Sequence, residues 1–271
     1  MISGMTILSS EFIPIYHYAP GGVALVIWIP MCKNTCNYCP WYASSSLREV
    51  DLITVSLDKI IEIAHRVKAN YIFIHGGQPI EFIESKTLDK LCNLEIPLGA
   101  KLCIDSLENF QEVAKKLDVV LVEVTLNKCS KIMKYTKILS SLNSEIILVS
   151  GGNESITKII NCLNYLRKIE KPIHIYLELD VRDANHIAKY SHNIGIKYLY
   201  FPLTRVTDLN TTYCPKCGAI IVYRENGIIL RHHAKDTKCF ICGTNILYKA
   251  IPTRLRTGVN YAIPRELLTD T

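Results

Sequence analysis

Seven of the eleven cysteines in this chain fall into two tight groups, and no other feature limits its fold and chemistry as strongly. The first group is Cys32, Cys36 and Cys39; the second is Cys214, Cys217, Cys239 and Cys242. An odd total, unevenly distributed, argues against a secreted disulfide framework. The other four, Cys92, Cys103, Cys129 and Cys162, are scattered through apolar segments and read as ordinary buried thiols. Clustered thiols beside isolated ones point to metal ligation in a reducing cytoplasm.

The chain around them is long enough for one large α/β domain or two smaller ones, at 271 residues, 49% hydrophobic and 21% charged. Mean hydropathy is positive, +0.16. The longest apolar stretch, Gly21 to Met31, is too short to cross a bilayer and has no basic region before it. A soluble chain without membrane association is expected. The formal charge of +6 hints at an anionic partner. Bound cysteines are thiolates, however, so metal loading reduces that excess and net charge does not by itself imply nucleic-acid binding.

From residue 23 to about 201, short β-branched runs alternate with amphipathic ones. Strands are expected at Val23–Ile29, Tyr71–His75, Lys101–Ile104, Val119–Val124, Glu145–Val149, Ile173–Leu179 and Lys197–Phe201. Helices are expected at Leu57–Lys68, Leu107–Lys116, Ile156–Ile169 and Asp183–His192, with Ser56, Ser106 with Asn109, and Asn153 as capping residues. The strand runs are nearly continuously apolar, as in parallel strands covered by helices. Repeated βα units place the loops after each strand on one rim, where ligands bind. Residues 1–206 are therefore assigned to an α/β core and 207–271 to a small four-cysteine module with a tail.

The first group reads Met31-Cys32-Lys33-Asn34-Thr35-Cys36-Asn37-Tyr38-Cys39-Pro40-Trp41. Three thiols spaced C-x3-C-x2-C leave a closed tetrahedral zinc site one ligand short. They match three corners of a four-iron, four-sulfur (4Fe-4S) cluster whose last iron is open. A zinc site, or three incidental thiols, is the competing reading of the spacing.

With a strand before it and an aromatic, Tyr38, ahead of the third cysteine, the motif resembles that of the radical S-adenosylmethionine (radical SAM) superfamily. The resemblance implies a partial parallel (β/α)6 TIM-like barrel, a 4Fe-4S cluster on Cys32, Cys36 and Cys39, and S-adenosylmethionine chelated to the open iron. It also implies reductive cleavage of that cofactor to a 5′-deoxyadenosyl radical, which takes hydrogen from a substrate. An external electron donor such as ferredoxin or flavodoxin goes with that chemistry.

Other elements fall where the family binds its cofactor. His75-Gly76-Gly77-Gln78-Pro79 follows a strand and is similar to the family's Gly-Gly-Glu-Pro element for the methionine amino group, with Gln78 replacing the glutamate. An ordinary βα turn is the plainer account. Ser150 and Gly151 precede a helix and would line the adenosine, or simply cap the helix. Asp105 ends a strand and is either a ribose contact or a cap. Glu123 is a carboxylate inside an apolar strand, which must be paired or face a polar cavity. His75, His174, His186 and His192 lack convergent ligand spacing and read as surface or capping residues; His232 and His233 read as solvated hairpin residues.

The second group forms two knuckles, Cys214-Pro215-Lys216-Cys217-Gly218 and Cys239-Phe240-Ile241-Cys242-Gly243, around a hairpin with Asn226-Gly227 at its turn. Four thiolates make a closed structural site, for which zinc is the default and a second iron centre the competitor. Lys216, Arg224, Arg231, Lys235 and Lys238 make the module basic. The resemblance covers Val23–Phe201 for the core, most similar to the pyruvate formate-lyase activating-enzyme-like branch, and Tyr213–Tyr248 for the ribbon, most similar to the radical SAM component of the AmmeMemoRadiSam group. Pro40-Trp41 departs from the polar pair usual after the third cysteine. The substrate stays open between a protein, as in glycyl-radical activation, an RNA and a small metabolite. A non-catalytic adaptor using the ribbon for nucleic acid is the alternative from a different class.

Overall fold

The computed structural model describes residues 1–30, 32, 52–78, 83, 85–150 and 155–268. Its centre is a nine-stranded sheet. Strands β2 (Val23–Ile29), β3 (Tyr71–Gly76), β4 (Leu98–Cys103), β5 (Val119–Thr125), β6 (Ser144–Val149), β7 (Ile173–Tyr176) and β8 (Leu199–Tyr200) are parallel and lie in chain order. Ahead of β2 lies β1 (Gly4–Ser9), antiparallel to it, and outermost is β14 (Asn260–Ala262), contributed by the C-terminal tail.

Strand order that follows chain order makes each crossover step in the same direction, so right-handed crossovers put their helices on one face. Packing agrees. Ile63 of α1 (Leu57–Arg66), Leu91 of α2 (Ser85–Cys92), Leu139 of α4 (Ile132–Ser141), Leu163 of α5 (Ile156–Leu166) and Ile187 of α6 (Val181–Asn193) share one core with Ile27, Ile74, Val122 and Leu148. The alternate strand residues, including Val26, Phe73, Leu121 and Ile147, face the other way and meet Ile13, Ile15 and Tyr18 from the segment before β2. The connectivity is consistent with a TIM-like fold, with an inner face free of helices among the described residues.

Local signals explain the helix ends. Ser56 accepts from the Lys59 amide at 3.2 Å to cap α1, and Asp180 accepts from Asp183 at 2.8 Å to cap α6. The helix expected at Leu107–Lys116 contracts to α3 (Gln111–Ala114), because Ser106 is not its cap: it sits in a 3-10 turn, Ile104–Ser106, and binds Gln78 instead. Asn153 lies outside the described residues. Strand β4 starts at Leu98 rather than Lys101. Gly99 disguises it, yet packing requires that glycine, since a Cβ there would come within 2.7 Å of the Phe73 ring.

A second correction concerns two scattered cysteines. Cys129 and Cys162 are not free thiols but a disulfide, Cα atoms 5.2 Å apart, joining the 3-10 segment Leu126–Lys131 to α5. Both are buried where that segment packs on α5, which a spacing of 33 residues does not reveal. Among the described residues, no helix is long and apolar enough to cross a membrane.

The C-terminal module contains a three-stranded sheet of β9 (Thr212–Tyr213), β10 (Ile220–Glu225) and β11 (Ile228–His232), and a two-stranded one of β12 (Ala234–Lys235) and β13 (Lys238–Cys239). Asn226 and Gly227 both have positive φ, as a two-residue hairpin turn demands.

Candidate active site and candidate metal centre

The C-terminal ends of the parallel strands bring the rim residues together. Cys32 leaves β2 three positions beyond Ile29, whose partner across the parallel ladder is Gly76. Gly76 has φ +126°, and a Cβ there would lie 2.1 Å from the Ile29 carbonyl oxygen. The approach of the cysteine-bearing strand to the glycine turn therefore admits no side chain.

Below that rim, strand parity puts Trp28, His75, Lys101, Cys103 and Glu123 on the inner face. Lys101 Nζ lies 3.0 Å from Glu123 Oε2, both side chains almost wholly buried. Cys103 Sγ is 3.5 Å from Glu123 Oε1 and 3.9 Å from the Gly77 carbonyl. Burial pushes the Cys103 thiol well above its ordinary range; Lys101 opposes this, while Glu123 and the Cys32 sulfur add to it. His75 Nδ1 accepts from the Gly76 amide at 2.7 Å, and its ring centre is 4.7 Å from that of Trp28. Desolvation, then Lys101, hold it well below the usual histidine range, so it is neutral with its proton on Nε2.

Gln78 is buried, donates to the Ser106 hydroxyl, and accepts weakly from the Cys103 amide at 3.4 Å. Its amide braces the ends of β3 and β4. Asp105 accepts from Lys128 and Lys131; burial raises its pKa, but these two partners outweigh that and leave it lowered. Ser150 stands half-buried just past β6. Cys36, Tyr38, Cys39, Pro79 and Gly151 lie outside the described residues. Glu123, read from sequence, falls on the inner face; Lys101, Cys103 and His75 there were missed. His75 and His174 are also corrected: both are buried, not surface residues.

The second cysteine group forms a compact centre. All four Sγ atoms lie within 4.8 Å of one another, with Cys214 to Cys242 at 3.5 Å and Cys217 to Cys239 at 3.7 Å. A tetrahedral zinc with bonds of about 2.3 Å spaces its sulfurs about 3.8 Å apart, so this donor set fits such an ion. Gly218 and Gly243 have φ +71° and +70°, and their amides close the knuckle turns on the Cys214 and Cys239 carbonyls, each at 2.9 Å. The Thr244 hydroxyl, then its amide, stabilise the Cys242 thiolate and draw its pKa down.

The ribbon sits at the opposite end of the sheet from Cys32. Arg224 of β10 is fully buried against the N-terminal strand ends, donating to Thr212 Oγ1 at 2.8 Å and to the Tyr16 carbonyl at 2.9 Å, with Nε 3.5 Å from Glu11. Glu145, near the start of β6, accepts from the amides of Tyr16 and His17 and from His174 Nε2, each at 2.8 Å. This network seals the floor of the inner face.

No family model matches the chain. It is 23% identical to the uncharacterized protein MJ0808 of Methanocaldococcus jannaschii, across 86% of this chain and 80% of that protein. Among solved structures, QueE from Escherichia coli superposes with a TM-score of 0.40 at 13% identity, covering 64% of this chain and 91% of that one.

Proposed function

We propose that the chain is a radical SAM enzyme built on a partial (β/α)6 barrel. Cys32, Cys36 and Cys39 hold a 4Fe-4S cluster at the rim, S-adenosylmethionine lies beside it, and the ribbon carries a structural zinc. The observation that carries the reading is a C-x3-C-x2-C motif leaving β2 where Gly76 leaves no room for a side chain. That close contact fixes the start of the cysteine segment against the glycine turn, and the three-thiol donor set fits a cluster with one open iron. Bound there, the cluster would supply one electron for reductive cleavage of the sulfonium and so initiate hydrogen abstraction.

The chain's own residues then have defined tasks. Backbone carbonyls of Gly76 and Gly77 receive the methionine ammonium, with Gln78 holding the turn through Ser106. Lys101 and Glu123 supply fixed opposite charges below the rim, while neutral His75 and Trp28 exclude water. Ser150 and Gly151 face the adenosine, and Asp105 keeps Lys128 and Lys131 at the edge. Ferredoxin or flavodoxin supplies the electron for that chemistry.

Anaerobic reconstitution with iron and sulfide, reduction, and assay for 5′-deoxyadenosine test the reading. The wild type should form it, and Cys36→Ala should lose both cluster and product. A fully loaded cluster that yields no 5′-deoxyadenosine would favour the non-catalytic adaptor.

A further inference from the structure

The second knuckle of the ribbon presents two large apolar side chains to solvent. Phe240 and Ile241 are 70% and 69% exposed, although the cysteines on either side are held in the four-sulfur centre. They contribute nothing to the ribbon's own core, which is built from Ile221, Val222, Ile229, Ile246 and Leu247. Adjacent exposed apolar residues on a rigid turn signal a contact surface.

The surroundings are cationic. The Phe240 amide donates to the His233 carbonyl at 3.1 Å, which puts the knuckle beside the exposed pair His232 and His233. Lys238 pairs with Lys235 across β12 and β13, and Lys216 projects from the other knuckle, whose Cys217 sulfur lies 3.7 Å from that of Cys239. Arg231 stacks over the Tyr223 ring at 4.8 Å. Residues 213–248 hold Glu225 and Asp236 against Lys216, Arg224, Arg231, Lys235 and Lys238, and Glu225 lies beside the hairpin turn, at the other end of β10 from Cys217. A divalent metal on four thiolates offsets two of these charges and still leaves this end positive.

An aromatic ring flanked by cations on flexible stems suits a nucleobase with its neighbouring phosphates. The knuckle tip itself offers two apolar side chains, with Ile228 and Leu230 also exposed along β11. That is small beside the roughly 800 Å² per partner of a standard protein interface, whereas one ring suffices for one base. We propose that the knuckle end of the ribbon binds single-stranded nucleic acid, Phe240 stacking on a base while Lys216, Arg231, Lys235 and Lys238 meet the phosphates. The surface lies at the far end of the sheet from Cys32 and is independent of the chemistry proposed there.

Fluorescence anisotropy of the metal-loaded full chain with short labelled single-stranded RNA, and DNA of the same sequence, tests this. Saturable binding should weaken linearly in log–log terms with salt, the slope falling by about one for each lysine reversed. Phe240→Ala should weaken binding about ten-fold, the scale of one lost base stack, and Lys216→Glu/Lys238→Glu should weaken it at least as much. Both changes are at exposed positions, and unchanged metal content verifies that the ribbon is intact. Met133→Ala, an exposed apolar position on α4, should have no effect. The proposal is overturned by absence of binding at low salt, by affinity insensitive to the knuckle variants, or by a flavodoxin that binds the knuckle when neither oligonucleotide does.

Discussion

Arg224 donates through Nη2 to the Tyr16 carbonyl at 2.9 Å, and its guanidinium carbon lies 4.2 Å from the centre of that tyrosine's ring. The contact makes a ribbon residue part of the floor beneath the inner face. The counter-charge is Glu11, 3.5 Å from Arg224 Nε and equally hidden from solvent. Burial raises the Glu11 pKa, with Arg224 the main opposing influence.

Removing one partner of a buried ion pair strands the other. Arg224→Met should therefore lower stability by about 3–5 kcal/mol, and Arg224→Met/Glu11→Gln should recover much of the loss. Urea unfolding of the three proteins measures both changes. A double variant no more stable than the single one would place the contribution of Arg224 in its backbone contacts rather than in its charge.

The same floor makes stability depend on pH. His17 Nδ1 lies 2.8 Å from the Ile246 carbonyl, which can only accept, so Nδ1 carries the proton. Nε2 then accepts from the Tyr200 hydroxyl at 2.7 Å, and Tyr200 accepts from Thr212, which takes its own hydrogen bond from Arg224. Protonating His17 would break this directional chain. Burial above all depresses its pKa from 6.5 to about 4, outweighing the Glu145 charge. A depressed folded-state pKa means that the unfolded chain takes up the proton first. Its contribution is complete above pH 6.5 and is lost as pH falls towards about 4. His174, also depressed by burial, acts in the same direction, and so does Glu145 below the ordinary carboxylate value of 4.5, since His174, His17 and the Tyr16 amide outweigh the burial that would raise its pKa. Unfolding free energy measured across this range should fall with acidification, and less steeply in His17→Gln. Equal slopes in the two proteins would exclude His17 as the titrating group.

What was legible in the sequence follows the range of the interactions. Strand β2 and the cap at Ser56 depend on neighbouring residues, and both lie where the apolar run and the serine put them. The knuckles are equally local. Strand β14 needs β1, some 250 residues away in the chain, and neither run is long or apolar enough to stand out. Glu123 was visible because a carboxylate interrupted an apolar strand. Its partner Lys101 was not, because Gly99 hid the start of β4 and left the lysine looking like a flank. Arg224 lies next to Glu225 and an Asn-Gly turn, where a cation ordinarily faces water; docking of the hairpin against Tyr16 buries it instead.

Lys101 and Glu123 invite a test that separates stability from function. A buried pair commonly costs more in desolvation than it returns, so well-packed apolar replacements of both partners can be tolerated. Lys101→Met alone should be destabilising by about 3–5 kcal/mol, and Lys101→Met/Glu123→Leu should regain most of that. If the pair serves the rim, the double variant will fold yet bind S-adenosylmethionine more weakly, as calorimetry on the reconstituted protein would show. Wild-type affinity in a stable double variant would confine the pair to a structural role.

Removing the ribbon metal tests whether the two centres are separate. Cys239→Ser/Cys242→Ser takes two of the four thiolates from a site with no spare ligand among the described residues. The module has a small core of its own, so the metal should supply much of its stability. Loss of zinc should therefore open residues 213–248, and the disturbance should extend to the segment before β2. There the Tyr248 amide donates to the His17 carbonyl at 2.8 Å and Arg224 holds Tyr16. It should stop short of Cys32 and Gly76, at the other ends of the strands. Hydrogen exchange should show faster exchange around Tyr16 and His17 but not in the centres of β4 and β5, and metal analysis should show zinc lost with iron and sulfide retained. Substantially more than four irons per wild-type chain, falling to about four in the variant, would instead establish a second iron centre in the ribbon.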